Sequence, residues 1–206
     1  DDIQDKIRPN VILLGDIIYA RGFVISTEVE GTASLLAECT REICIGEILQ
    51  VGNAGNLELT LQQYQEIIHR KTAILYGLSC KLGSMLSGAT SEQVAALESF
   101  GNRMGEAFQI IDDSLDLVGD PEVVGKSLGT DLANGKLTLP LLLLRDSLEG
   151  AEREQLMQLL ADCYQSEASE SSRVEMATLL ANHGIMQRVR GRAKDAIESA
   201  LSDLRG

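Results

Sequence analysis

An all-α fold is predicted by three features of the 206-residue sequence. Apolar residues make up 44%, yet aromatics are only 3% and Trp is absent, so the core must be built from Leu, Ile, Val, Ala and Met, a composition of packed helices rather than a β-sandwich. Apolar residues recur at helical spacing along most of the chain, and no segment alternates with the period of a strand. The length suffices for one substantial core, so residues 1–206 are expected to form a single helical domain.

The elements follow in order. Residues 11–50 read as two helical runs broken near "STEVEG", the second placing Leu35, Cys39, Ile43 and Ile48 on a core-facing side. "VGNAGNLELT" is a break. The next helix opens with Thr60 as N-cap and closes around Gly88. Another begins at Ser91, followed by Glu92 and Gln93, and stops at Gly119 ahead of Pro121. From Pro121 to Pro140 the chain is Gly- and Asp-rich, a loop with a short turn, before "LPLLLLRDSLEG" resumes helix with Gly150 as its stop. Residues 151–206 are again in helical phase, and there is no internal repeat.

Charge and cysteine usage narrow the function. A formal charge of −13 argues against nucleic acid or an anionic membrane surface as the main partner, so any bound phosphate needs metal or locally placed cations. Cys39, Cys44, Cys80 and Cys163 show no C-x-x-C spacing and read as reduced core fillers of a cytoplasmic protein. No apolar run approaches the roughly 20 residues of a membrane span, and the acidic "DDIQD" is unlike the basic lead of a signal peptide.

Chemistry concentrates in "FQIIDDSLDLVGDPEVVGKSLGTDLANGKLTLP", residues 108–140. Asp112, Asp113 and Asp116 stand at i, i+1 and i+4 in an apolar helical run, which stacks Asp112 and Asp116 on one face with their carboxylates toward a common spot. Like charges that close need neutralising, and all-oxygen ligands suit Mg2+, which shares its shell with substrate phosphates. "DDIQD" sets Asp1, Asp2 and Asp5 at the same spacing, and two such motifs on facing helices would hold Mg2+ around one diphosphate. Lys126 and Lys136, each after a Gly, would bring point charges to the same phosphates. Gln109 shares the helix face of Asp112 and either orients a carboxylate or is a buried amide. A single acidic cluster on a helix is more often a solvated face; the pair of motifs together with the Gly-Lys loops favours the metal–diphosphate reading. His69 and His183 read as surface or core-edge residues. "GDPEVVGKS" misses the P-loop spacing, and "DDSLDLVGDPEV" lacks the glycine of a calcium loop.

These residues resemble the all-trans polyprenyl diphosphate synthase family. "FQIIDDSLD" followed by "GKSLGTDLANGKLTLP" is similar to its second aspartate-rich motif and lysine loop, "DDIQD" to its first and "RKTAIL" to its basic helix motif; "GEILQ" and "VILLGDIIYAR" fit as well. The resemblance implies a helical bundle of isoprenoid synthase type around a deep apolar cavity, usually a homodimer without membrane insertion. Its reaction would be head-to-tail (1'-4) condensation of an allylic diphosphate with isopentenyl diphosphate. By position, Asp1 and Asp5, supported by Asp2, would bind two Mg2+ ions, and Asp112, with Asp113 and Asp116 beside it, a third. Lys71, Lys126 and Lys136 would contact the allylic diphosphate, and Thr72 and Gln109 would line the site near the reacting carbons.

The sequence also departs from the family. The long portion that normally precedes the first motif, with residues that hold isopentenyl diphosphate, is not present before Asp1, and Ile7 abuts Arg8 where the family carries a further stretch including Arg-Arg-Gly. The sequence is therefore expected to join pieces of a longer protein. "GEILQVGNAGNLELT" resembles medium- to long-chain enzymes more than farnesyl synthases. Three rivals compete: a non-catalytic subunit of a heteromeric synthase, which would usually lose an aspartate motif; a class I terpene cyclase, whose cavity is typically lined with more aromatic residues than this chain supplies; and an acidic helical protein that merely collects divalent ions, which leaves the Gly-Lys pairs unexplained.

Overall fold

Residues 2–118, 130–165 and 170–205 are described by a computed structural model. They form α-helices with one π-helical turn and, among the described residues, no strand. No helix among them is long and apolar enough to cross a membrane. The chain divides into two compact units, Asp1–Arg41 and Glu42–Gly206.

In the first unit, α1 (Asp2–Ser26) runs without interruption across Ile7 and Arg8, and α2 (Thr32–Gly52) begins after a turn at the predicted break. Gly31, at φ 83°, makes that turn, and the Thr32 hydroxyl donates to the Val29 carbonyl at 2.9 Å. α1 leaves large apolar side chains exposed, Ile12, Ile17 and Ile18 among them.

The second unit continues from α2 through α3 (Leu61–Ile68), a π-turn (His69–Ala73), α4 (Ile74–Leu86), α5 (Ser91–Val118), α6 (Thr130–Ala133), α7 (Leu139–Ser147), α8 (Gly150–Gln165), α9 (Glu170–Asn182) and α10 (Ile185–Asp203). Thr60 caps α3 as its sequence requires: its hydroxyl accepts from the Gln63 N–H at 3.2 Å, and Gln63 Oε1 accepts from the Thr60 N–H at 2.9 Å. The same reciprocal pair opens α5, with Thr90 and Gln93 at 3.3 and 2.9 Å, one residue before Ser91. α5 is the axis of this unit and packs along α4 on one side and α10 on another. Ser99 and Arg103 both donate to Asp203 at 2.7 Å, fixing the end of α10 to α5.

The core centres on α7. Leu139, Leu141, Leu142, Leu143 and Leu144 are all at most 4% exposed, so this helix is apolar all round because it is buried all round. Its last turn carries a buried cation, Arg145, whose Nη1 donates to the carbonyls of Leu57 at 2.7 Å and Leu59 at 2.8 Å while Nη2 pairs with Asp146 at 2.7 Å. Those bonds tie the irregular segment after α2 to the core.

Four expectations are corrected here. Gly150 does not end α7: the helix closes at Leu148, whose N–H bonds to the Arg145 carbonyl at 3.3 Å, and Gly150, at φ 54°, is the corner from which α8 starts. Ile48 lies on the outward side of α2 and is 70% exposed, because Cys39 and Gly46, not Ile48, mark its buried side. None of the four cysteines forms a disulfide, but only Cys39 and Cys163 are buried; Cys44 is exposed and Cys80 half-buried. The helix expected from Thr60 to Gly88 is interrupted at its centre by the π-turn.

Close helix contacts explain two glycines. A Cβ on Gly105 of α5 would stand 2.6 Å from the Ala73 Cα, and one on Gly46 of α2 would stand 2.6 Å from the Lys71 backbone nitrogen. No side chain fits between backbones so close. We therefore expect Gly105→Ala to push α5 off the π-turn, at a packing cost of about 1–3 kcal/mol or more. This outweighs the roughly 1 kcal/mol that Ala gains over Gly within a helix. Thermal melting followed by circular dichroism should show a lower midpoint, and an unchanged or raised midpoint would show that the helices separate at no cost.

Candidate active site

The basic residues of "RKTA" sit in the π-turn, where one extra residue offsets the side-chain register of α4 from that of α3. Lys71 Nζ lies 2.7 Å from Glu47 Oε2 and donates to Gln50 Oε1 at 3.1 Å, both one turn apart on α2. Arg70 pairs instead with Glu42 and, at 3.1 Å, with Glu66. The Gly46 contact brings Lys71 against α2 closely enough for these pairs to form.

Thr72, the next residue, enters a hydrogen-bonded chain. Its hydroxyl donates to Gln109 Oε1 at 2.7 Å, Gln109 Nε2 donates to Asp113 Oδ1 at 2.7 Å, and the Tyr64 phenol donates to Asp113 Oδ2 at 2.6 Å. A carboxylate only accepts, which fixes the direction of every bond in the chain. Asp113 is 5% exposed. Burial pushes its carboxyl up to about 6 from 3.8; the bonds from Tyr64 and Gln109 work against that rise, and the neighbouring Asp131 and Asp112 charges add to it. Tyr64 is raised well above its usual range, first by burial and then by the charge of Asp113.

A cleft of about 190 Å³ opens beside this chain, lined by Lys71, Thr72, Gln109, Asp112, Asp113 and Lys136 among others. Thus six of the residues expected at the site from sequence meet in one place. Asp116 does not share a spot with Asp112. It is 2% exposed and accepts from the Thr130 hydroxyl at 2.7 Å and the Asp131 N–H at 2.9 Å, so its carboxylate joins the first turn of α6 to α5. The one-turn spacing was real, but the packing of α6 claimed one of the two side chains. Among the described residues no three carboxylate, imidazole or thiol groups gather at metal-binding distance. Asp2 and Asp5 lie in the first turns of α1, in the other unit; Asp1 and Lys126 lie outside the described residues.

Four participants escaped the sequence reading. Tyr64 gave no signal beyond its place on a helical face. Asp131 lines the cleft and holds Lys136 Nζ at 2.6 Å, and its position five residues before that lysine was the available clue. Glu47 and Gln50 were visible only as part of "GEILQ", without a role.

Residues 7–179 match the family model of polyprenyl synthetase. The short chain isoprenyl diphosphate synthase of Methanothermobacter thermautotrophicus is 36% identical over 158 residues, 74% of this chain and 49% of that protein. Heptaprenyl diphosphate synthase component 2 of Bacillus subtilis is 34% identical over 197 residues, 89% of this chain and 57% of that one. Among solved structures, polyprenyl synthase from Caulobacter crescentus, complexed with calcium and isoprenyl diphosphate, superposes with a TM-score of 0.82 at 32% identity, covering 94% of this chain and 59% of that chain. The chain spans about half the length of the curated relatives it matches. With the helical fold and a match over most of its length, this chain belongs to the polyprenyl synthetase family.

Proposed function

We propose that the protein is a prenyltransferase that condenses an allylic diphosphate with isopentenyl diphosphate to give a longer polyprenyl diphosphate of medium to long chain, plus pyrophosphate. The observation that carries this reading is the cleft, where lysines, carboxylates and an ordered hydroxyl–amide chain stand side by side. Family membership supplies the reaction class.

Mg2+ fits the donors present, because it takes one or two carboxylates and completes its shell with water and phosphate. Asp112, the less buried of the two second-motif carboxylates that line the cleft, would hold it there, with Asp113 and Asp116 beside it, and Asp1, Asp2 and Asp5 would serve in the first motif. When bound, the metal supplies Lewis-acid stabilisation of the diphosphate as its charge grows. Lys71, Lys126 and Lys136 would turn to the departing pyrophosphate as preorganised charges.

The carbon–oxygen bond of the allylic diphosphate breaks with its electron pair leaving on pyrophosphate. The terminal double-bond carbon of isopentenyl diphosphate then bonds to the allylic carbon, and pyrophosphate takes the proton that this product loses. Thr72 and Gln109 line the cleft and would stand near the reacting carbons, and Tyr76 and Phe108, one helical turn from Thr72 and Asp112 with ring centroids 5.5 Å apart, are exposed aromatic side chains that would meet the prenyl chain where it leaves the cleft.

Incubating the full-length protein with Mg2+, labelled isopentenyl diphosphate and farnesyl diphosphate should give a ladder of longer prenyl diphosphates. Asp112→Ala should slow it on the order of 100-fold or more. No elongation from this or shorter primers, with Mg2+ still bound, would move the reading to a non-catalytic subunit.

Asp113 yields a pH test in chelator, without metal. Its carboxyl is raised in the folded state, so the stability it contributes is full below its unfolded value near 3.8 and is lost as pH rises through about 6. Asp113→Asn cannot titrate there. The melting midpoint of the wild type should therefore fall relative to that of the variant between about pH 4 and about pH 7 and run parallel above. A constant difference across the range would show that Asp113 titrates normally.

A further inference from the structure

We propose that Tyr64 is a positioning residue for the prenyl transfer: by anchoring Asp113 it sets the polarity of the hydroxyl that Thr72 presents to the cleft. The proposal rests on the prenyltransferase reading and deepens it. Asp113 accepts on both oxygens, from Tyr64 at 2.6 Å and from Gln109 at 2.7 Å. With its NH2 committed to the carboxylate, Gln109 must turn its carbonyl to Thr72, and at 2.7 Å that carbonyl takes the single proton of the Thr72 hydroxyl. The hydroxyl oxygen is left with lone pairs, and no proton, for the cleft that Thr72 lines.

That polarity matters only to a substrate that becomes positive. A lone-pair oxygen beside a carbon losing an anionic leaving group favours the charge that develops, whereas a hydroxyl proton at the same place opposes it. Tyr64 is 4% exposed and reaches Asp113 from α3, on the far side of the carboxylate from Gln109. Without its proton one carboxylate oxygen is buried and unpaired, a costly state that Asp113 relieves by turning. Gln109 then loses the acceptor that fixed its amide. The order of the chain, and with it the direction of the Thr72 proton, depends on a phenol that lies outside every motif in the sequence.

The test is a double-mutant cycle in the full-length protein with Mg2+, measuring kcat and KM for the allylic diphosphate in the wild type, Tyr64→Phe, Thr72→Val and the double variant. Tyr64→Phe should lower kcat about tenfold, the weight of one hydrogen bond to a charged group, with KM unchanged. The double variant should be no slower than Thr72→Val, because the polarity of an absent hydroxyl has no further consequence. Wild-type kcat in Tyr64→Phe overturns the proposal, as do losses that multiply in the double variant, which would show Tyr64 acting through packing. If Tyr64→Phe lacks the helical circular dichroism of the wild type, Thr72→Val decides alone: a fall in kcat at unchanged KM supports the proposal, and a wild-type kcat overturns it. A wild type with no elongation overturns the prenyltransferase reading and this proposal with it; an active wild type with an indifferent Tyr64→Phe overturns this proposal only.

Discussion

The approach of α5 to the π-turn, where Gly105 meets the Ala73 Cα with no room for a side chain, is the contact on which the cleft depends. Gln109 lies one turn after Gly105, and Thr72 immediately precedes Ala73. The backbone contact therefore sets the 2.7 Å separation of their side chains. Gly46 does the same for Lys71, bringing it within reach of Glu47 and Gln50 one residue and one turn further along α2. Two missing side chains thus place a lysine, a hydroxyl and an amide around one space. Packing determines the geometry, and polar chemistry follows from it.

Within that space the cations are held in pairs. Lys71 is matched by Glu47 at 2.7 Å and Lys136 by Asp131 at 2.6 Å, while Asp112 and Asp113 add further negative charge. Partly exposed ion pairs of this kind are individually worth little, so each lysine can exchange its carboxylate for a phosphate at small cost. A diphosphate entering so acidic a cleft meets repulsion as well as attraction, however. On the proposed reading, divalent metal reverses that balance, and the overall charge of −13 extends the same requirement to the whole chain.

The helices were legible in the sequence because their signals are local. Thr60 and Gln63 form the reciprocal cap that their spacing announces, and α5 spans the residues that its apolar period predicts. What failed was non-local. The π-turn at His69–Ala73 has no compositional mark, since its extra residue fits the register of α3 and α4 against their neighbours. Gly150 carried the signal of a stop, yet α7 had already closed through Leu148, which left the glycine to open α8. Ile48 matched the apolar spacing of α2 loosely but fell beyond its buried stripe. Of the six residues that line the cleft as expected, Gln109, Asp112, Asp113 and Lys136 were legible by chemical type and spacing and Lys71 and Thr72 only through the family resemblance, whereas Tyr64 was missed because only the tertiary fold brings α3 to the end of α5.

Asp112, Asp113 and Asp116 show why type and spacing go only part of the way. One turn of one helix carries all three, yet their surroundings divide the work. Asp116 has both oxygens satisfied by the start of α6 and so fixes the element that leads to Lys136. Asp113 has both oxygens satisfied by Tyr64 and Gln109 and so orders the chain that ends at Thr72. Asp112 lines the cleft at an intermediate level of exposure, where a carboxylate can meet a ligand. On the proposed reading, removing either buried neighbour would disturb the lysine or the hydroxyl as well as the metal, and the motif would work as one ligand held by two structural carboxylates rather than as three equivalent ones.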